Sequence, residues 1–148
     1  MIVVLVFLNV SIFLFLSGLH FYWAFGGTWG ELTSLPSKPD GTLFFKPGIV
    51  STLVVAFGLL FFATVTFMNL GWIDLHTTNE ISAIAQRFVK IVTMIIGFIF
   101  LLRAVGNFSY VGFFKKIKGT PFGINDSKYY SPLCLFIGTA SFLIYYFS

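Results

Sequence analysis

Four long apolar runs, roughly Ile2 to Phe25, Ile49 to Leu70, Ala83 to Val105 and Pro132 to Phe147, constrain this chain more than any other feature. An α-helix rises about 1.5 Å per residue, so roughly 20 apolar residues cross a hydrocarbon layer of about 30 Å. Three runs meet that length. The fourth reaches it with Tyr129 and Tyr130 at one interface and Tyr145 and Tyr146 at the other, as aromatic belts do. The runs are continuously apolar, whereas the strands of a membrane barrel alternate over about ten residues. The expectation is an all-α integral membrane four-helix bundle with both termini on the same side. One transmembrane domain covers 1–148, with helices near 2–25, 49–70, 78–105 and 131–147.

Composition agrees. The chain is 57% apolar and 9% charged, with a mean hydropathy of +0.94, far from the soluble norm. Its 21 phenylalanines read as lipid-facing helix surface rather than an aromatic cofactor box. The first run lacks a basic leader, and Ser17-Gly18-Leu19 is a poor cleavage site, so a span is expected there rather than a signal peptide. Cys134 is the sole cysteine, which rules out an intrachain disulfide and reads as a small packing residue. The formal net charge of +4 sits on basic residues flanking the spans, so anionic lipid headgroups rather than nucleic acid are the expected counterions.

The connections differ in kind. Gly26 to Gly48 is rich in turn formers, including Gly26-Gly27, Pro39-Asp40-Gly41 and Pro47-Gly48, and Pro47 or Gly48 can open the second helix without loss of a needed donor. In the second connection Thr77-Thr78-Asn79-Glu80 has capping-box spacing, which starts helix three near Thr78. Gly106 and Asn107 then stop it. The third connection carries Lys115, Lys116 and Lys118 beside Phe113 and Phe114, and reads either as a membrane-surface cluster or as a solvated loop with snorkelling lysines. Basic residues concentrate in the first and third connections, against Arg87 and Lys90 on the other side. The positive-inside rule therefore puts the first and third connections in the cytoplasm, with or without Arg103.

Polar residues of the candidate site cluster on that same side. His20 and Trp23 share a helix face three residues apart, and Arg103 ends helix three at the same leaflet. Ionisable groups at such depth usually face the bundle interior or a polar cavity. Ser131-Pro132 reads as the start of helix four, with Ser131 as its cap, so a helix N-terminus, Arg103 and His20 would converge on a carboxylate or phosphate. Trp29, Asp126 and Tyr130 complete the candidate ligand-binding set. The competing reading is structural: Arg103 complements a helix C-terminus or pairs with Asp126. His20 and His76 fall on opposite sides, so no metal site and no cofactor is expected. Ser131 with His20 and Asp126 imitates a nucleophilic triad only in composition, and the chain is not read as an enzyme.

Several of these segments carry a family resemblance: His20-Phe21-Tyr22-Trp23 with Gly26-Gly27-Thr28-Trp29-Gly30, Pro47, Leu102-Arg103-Ala104-Val105-Gly106, and Asp126 through Cys134. Through them the chain resembles a DUF3995-like family of small bacterial membrane proteins with four spans and no assigned activity. The resemblance covers nearly the whole chain and implies the fold and a bacterial inner membrane, but no reaction.

Three functional readings follow. The first is binding of an anionic or amphipathic ligand, such as a lipid headgroup, through His20, Arg103 and the fourth helix. The second is an accessory or scaffold subunit, packing on a membrane-protein partner or another copy through small surfaces at Gly58, Gly97 and Gly138. The third is a small oligomeric transporter, disfavoured because Asp and Glu are absent from the four apolar cores as read from the sequence.

Overall fold

A computed structural model describes residues 1–71 and 79–148 of the chain. Among them, four helices are long and apolar enough to cross a membrane. Helix α1 (Ile2–Ala24) is followed by one helical turn, α2 (Glu31–Ser34), then by α3 (Ile49–Met68) and α4 (Asn79–Val105). A short helix, α5 (Pro121–Asn125), runs through a π-helical turn at Asp126–Tyr130 into α6 (Ser131–Phe147). The capping box at Thr77–Glu80 falls largely outside the described residues, as does His76.

α1 packs chiefly on α3 and α4 chiefly on α6, with sparser contact between the two hairpins. The core lies where all four meet, around Phe13, Leu59, Ala63, Ile96 and Ile137. Phe13, Phe62 and Phe100 form an aromatic triangle there, with centroids 5.5 to 6.4 Å apart and tilted or edge-on geometry that suits ring quadrupoles. Many large apolar side chains point outward, such as Val54, Phe57, Ile84 and Phe98. In water that pattern would be an aggregation hazard; in a bilayer it is the lipid-facing surface.

The hairpin of α4 and α6 closes tightly because two glycines face across it. A Cβ on Gly97 would press on the Phe142 ring 2.9 Å away, and one on Gly138 would press on Leu101 at 2.8 Å. These glycines therefore serve contacts within the chain, and only Gly58, with open space around it, remains available for the partner packing expected of all three. Polar ties add specificity at the opposite end. Asn9 Nδ2 donates to Ser141 Oγ at 3.2 Å, and Asn69 Nδ2 to Thr93 Oγ1 at 2.9 Å, linking α1 to α6 and α3 to α4.

The fourth span begins earlier than its sequence implies. Ser131 is not a helix cap: its backbone is helical (φ −67°, ψ −43°), and its N–H donates to the Asp126 carbonyl across the π-turn. The cap is Thr120, whose Oγ1 accepts from the Gly123 N–H at 3.0 Å, with Pro121 in the first turn. Ser-Pro is a good start signal, but Thr-Pro eleven residues earlier already opens the helix, and nothing between breaks the backbone. No free helix N-terminus exists at Ser131. The extension also places Asp126 inside an apolar helical span, Pro121–Phe147, so the fourth span is not free of acids.

Candidate ligand-binding site

The site is organised by a fully buried carboxylate. Asp126, with no exposed surface, accepts at Oδ1 from Arg103 Nη2 at 2.9 Å. At Oδ2 it accepts from Lys115 Nζ at 2.9 Å, the Gly112 N–H at 2.8 Å and Ser131 Oγ at 3.1 Å. The π-turn makes the last contact: it widens one helical turn so that residues five apart bond, and brings Ser131 beneath Asp126.

Lys115 is the residue that the sequence misplaces. It is neither at a membrane surface nor in a solvated loop but buried, and its three N–H groups are all used, by Asp126, the Gly112 carbonyl at 3.0 Å and Ser127 Oγ at 2.7 Å. Lys116 and Lys118 remain exposed. What buries Lys115 is the fold of the third connection over the end of α4. Gly106 (φ 81°) ends the helix, the Asn107 side chain accepts from three successive backbone N–H groups, and Phe113 N donates to Ala104 O at 2.8 Å. Gly112 (φ 94°) then crosses so close that a Cβ would overlap the Val105 carbonyl. The glycines were the only sequence signal of this crossing, and their spacing alone does not say what they approach.

Two cations now share one carboxylate. Lys115 has no donor left, so the surplus positive charge resides on Arg103. About a third of its side chain (32%) is open. Its one hydrogen bond among the described residues is Nη2 to Asp126, and Nη1 is covered yet has no partner.

Arg103 borders a cavity of about 1150 Å³ between the two hairpins. Leu16, Leu19, Val55 and Leu133 wall it; Leu16 and Leu133 also pack on the Phe13 cluster, so the cavity ends against the aromatic core. His20, Trp23 and Tyr130 line it too, whereas Trp29, Asp126 and Ser131 do not. Trp29 is exposed, and its carbonyl accepts from Trp23 Nε1 at 2.8 Å. Asp126 and Ser131 stand behind the wall and hold Arg103 in place.

Further lining residues had no sequence signal. Glu31, Ser34 and Lys46 face the cavity because the first connection folds over its mouth, and Thr52 faces it from α3. Ser34 Oγ lies 3.2 Å from Tyr130 Oη, and Phe44 meets Tyr110 edge-on at 4.3 Å, so the first and third connections dock on each other.

The arrangement makes a poor hydrolase. His20 Nδ1 donates to the Leu16 carbonyl at 2.7 Å; a carbonyl only accepts, so Nδ1 carries a proton and spends it within its own helix. Ser131 bonds straight to Asp126 with no histidine between them. Among the described residues no three His, Cys, Asp or Glu side chains gather to hold a metal. The geometry instead offers a cationic group at the edge of an apolar chamber.

Residues 13–141 match the model of a family described as proteins of unknown function, DUF3995. No curated protein and no solved structure matches the chain.

Proposed function

The chain belongs to the DUF3995 family, and we propose that it binds an amphipathic anion, head-first on Arg103 with its apolar chain along the cavity wall. The observation that carries this reading is the Arg103 side chain, 32% open and hydrogen-bonded among the described residues only through Nη2, beside a cavity of about 1150 Å³. An anion that meets the open part of this side chain gains a charge-assisted contact. The volume slightly exceeds the roughly 300 to 1,000 Å³ typical of small-molecule sites, enough for part of an acyl chain. Because Leu16 and Leu133 of the cavity wall pack on the Phe13 core, retention of a ligand is favoured over passage through the bundle. The tight Gly97 and Gly138 contacts withdraw most of the support for a scaffold role.

The bound head lies on the cytoplasmic side in this proposal. Leaving out Arg103 and Lys115, which Asp126 holds, Lys38, Lys46, Lys116, Lys118 and Lys128 still oppose Arg87 and Lys90.

The test is mass spectrometry of lipid retained by the protein after gentle extraction. Arg103→Gln should reduce retention about tenfold or more, the scale of one charge-assisted hydrogen bond, while Asp126 keeps Lys115, Gly112 and Ser131. Val55→Trp, which fills the cavity and touches no charge, should reduce it as well. Undiminished retention in Arg103→Gln would overturn the proposal, and undiminished retention in Val55→Trp would overturn the placement of the apolar chain in the cavity.

A further inference from the structure

We propose that the guest of this cavity is zwitterionic: a membrane lipid whose phosphate meets Arg103 and whose ammonium meets Glu31. The inference rests on the binding reading above and specifies its ligand.

Glu31 is the second charged group of the cavity with unmet capacity. Its side chain is only 17% exposed, and it lines the same chamber as Arg103. Among the described residues its carboxylate makes no hydrogen bond, and its one ion pair is a 3.9 Å contact with Lys46, whose side chain is 72% exposed. That distance exceeds a hydrogen bond. A long, solvated lysine held this way contributes little and is readily displaced.

The position of Glu31 is set by the fold. Gly30, at φ 73°, turns the chain into α2, and Glu31 is the first residue of that turn. Trp23 Nε1 pins the preceding segment through the Trp29 carbonyl, and Tyr130 holds the far end through Ser34. The carboxylate is thus part of a tethered roof over the cavity.

A guest carrying only negative charge would satisfy Arg103 but share the chamber with Glu31, and like charges out of bulk water repel. An ammonium on the same headgroup turns that repulsion into a second contact. Trp23 adds an aromatic ring to the same wall, since its N–H is already spent on Trp29; such a face attracts cations.

The experiment uses the full chain in nanodiscs of equal phosphatidylethanolamine and phosphatidylglycerol with identical acyl chains. These lipids share the phosphate and differ in the ammonium. Lipid that stays bound after extraction is quantified by native mass spectrometry, and folding is checked by thermal melting. The wild type should retain phosphatidylethanolamine in preference by about three- to fivefold, the scale of one partly exposed ion pair. Glu31→Gln should erase that preference while total retained lipid stays within about twofold, and Lys46→Ala, which removes the competing cation, should keep or raise it. Equal retention by the wild type, a preference for phosphatidylglycerol, or an unchanged ratio in Glu31→Gln overturns the zwitterion. Arg103→Gln separates the two levels: if it alone lowers both lipids, the anion reading stands whatever Glu31 does, and if it lowers neither, both proposals fail.

Discussion

Lys115 Nζ stands 2.9 Å from Asp126 Oδ2, and neither side chain has any exposed surface. The pair joins the third connection to the fourth span and, through the other carboxylate oxygen, aims Arg103 at the cavity. Removing one partner of a buried pair leaves an uncompensated charge, at a cost of about 3–5 kcal/mol. Asp126→Ala, which strands two cations, should therefore lower the melting temperature in detergent more than Arg103→Gln does. Lys115→Met should fall between them, because Arg103, Gly112 and Ser131 still serve the carboxylate. Equal melting temperatures for Asp126→Ala and the wild type would show that this cluster does not stabilise the fold.

Gly112 supplies both an N–H to Asp126 and a carbonyl to Lys115 from a left-handed backbone. Gly112→Ala faces backbone strain of about 1–3 kcal/mol and overlap with the Val105 carbonyl. Gly119→Ala, with open space around it and φ outside the left-handed range, is the control. The first variant should melt well below the second and lose lipid retention as Arg103 comes adrift.

Asn9 crosses from α1 to Ser141 of α6 within the apolar interior. Interhelical polar contacts in membranes are worth about 0.6 to 2 kcal/mol. A double-mutant cycle of Asn9→Ala and Ser141→Ala, read by unfolding in mixed micelles, should return a coupling on that scale. A coupling near zero would show that the Asn9 to Ser141 bond does not hold α1 against α6.

Asp40, in the first connection, accepts from the Thr42 hydroxyl at 2.7 Å and the Thr42 N–H at 2.9 Å, and these bonds hold its carboxyl below the ordinary value. A lowered native pKa means the turn is favoured while Asp40 is ionised, and that contribution disappears as pH falls through the native pKa. Carbon NMR of the Asp40 carboxyl should show a midpoint below that of the Thr42→Val variant, which keeps the N–H but loses the hydroxyl. Coincident midpoints would remove the hydroxyl as the cause.

The residues that the sequence and the structure agree on are those whose role depends on local pattern. Hydropathy alone marked the spans, since about 20 apolar residues have one stable way to cross lipid. Gly106 ended α4 as expected because a left-handed residue after a helix is a local event. His20, Trp23, Arg103 and Tyr130 reached one cavity because the alternation of spans sorted them to one end.

Ser131 and Lys115 differ because their surroundings come from elsewhere in the chain. Ser-Pro signals a helix start only if the preceding residues are not already helical, and here Thr120 had capped the helix earlier. Lys115 and Lys116 are neighbours with the same side chain, yet one is buried and the other exposed; only the crossing of Gly112 over the end of α4 separates them. Glu31 likewise joins the cavity through a connection whose path no periodicity encodes.

The sequence by itself determined that this protein spans a membrane as a helical bundle with one polar-rich end, because hydrocarbon imposes length and hydrogen-bonding rules on each helix separately. The tertiary structure alone decided which charges are spent and which stay available. That depends on distances between residues far apart in the chain: Asp126, the Gly112 carbonyl and Ser127 together consume Lys115, Asp126 takes Arg103 only in part, and Arg103 borders the cavity.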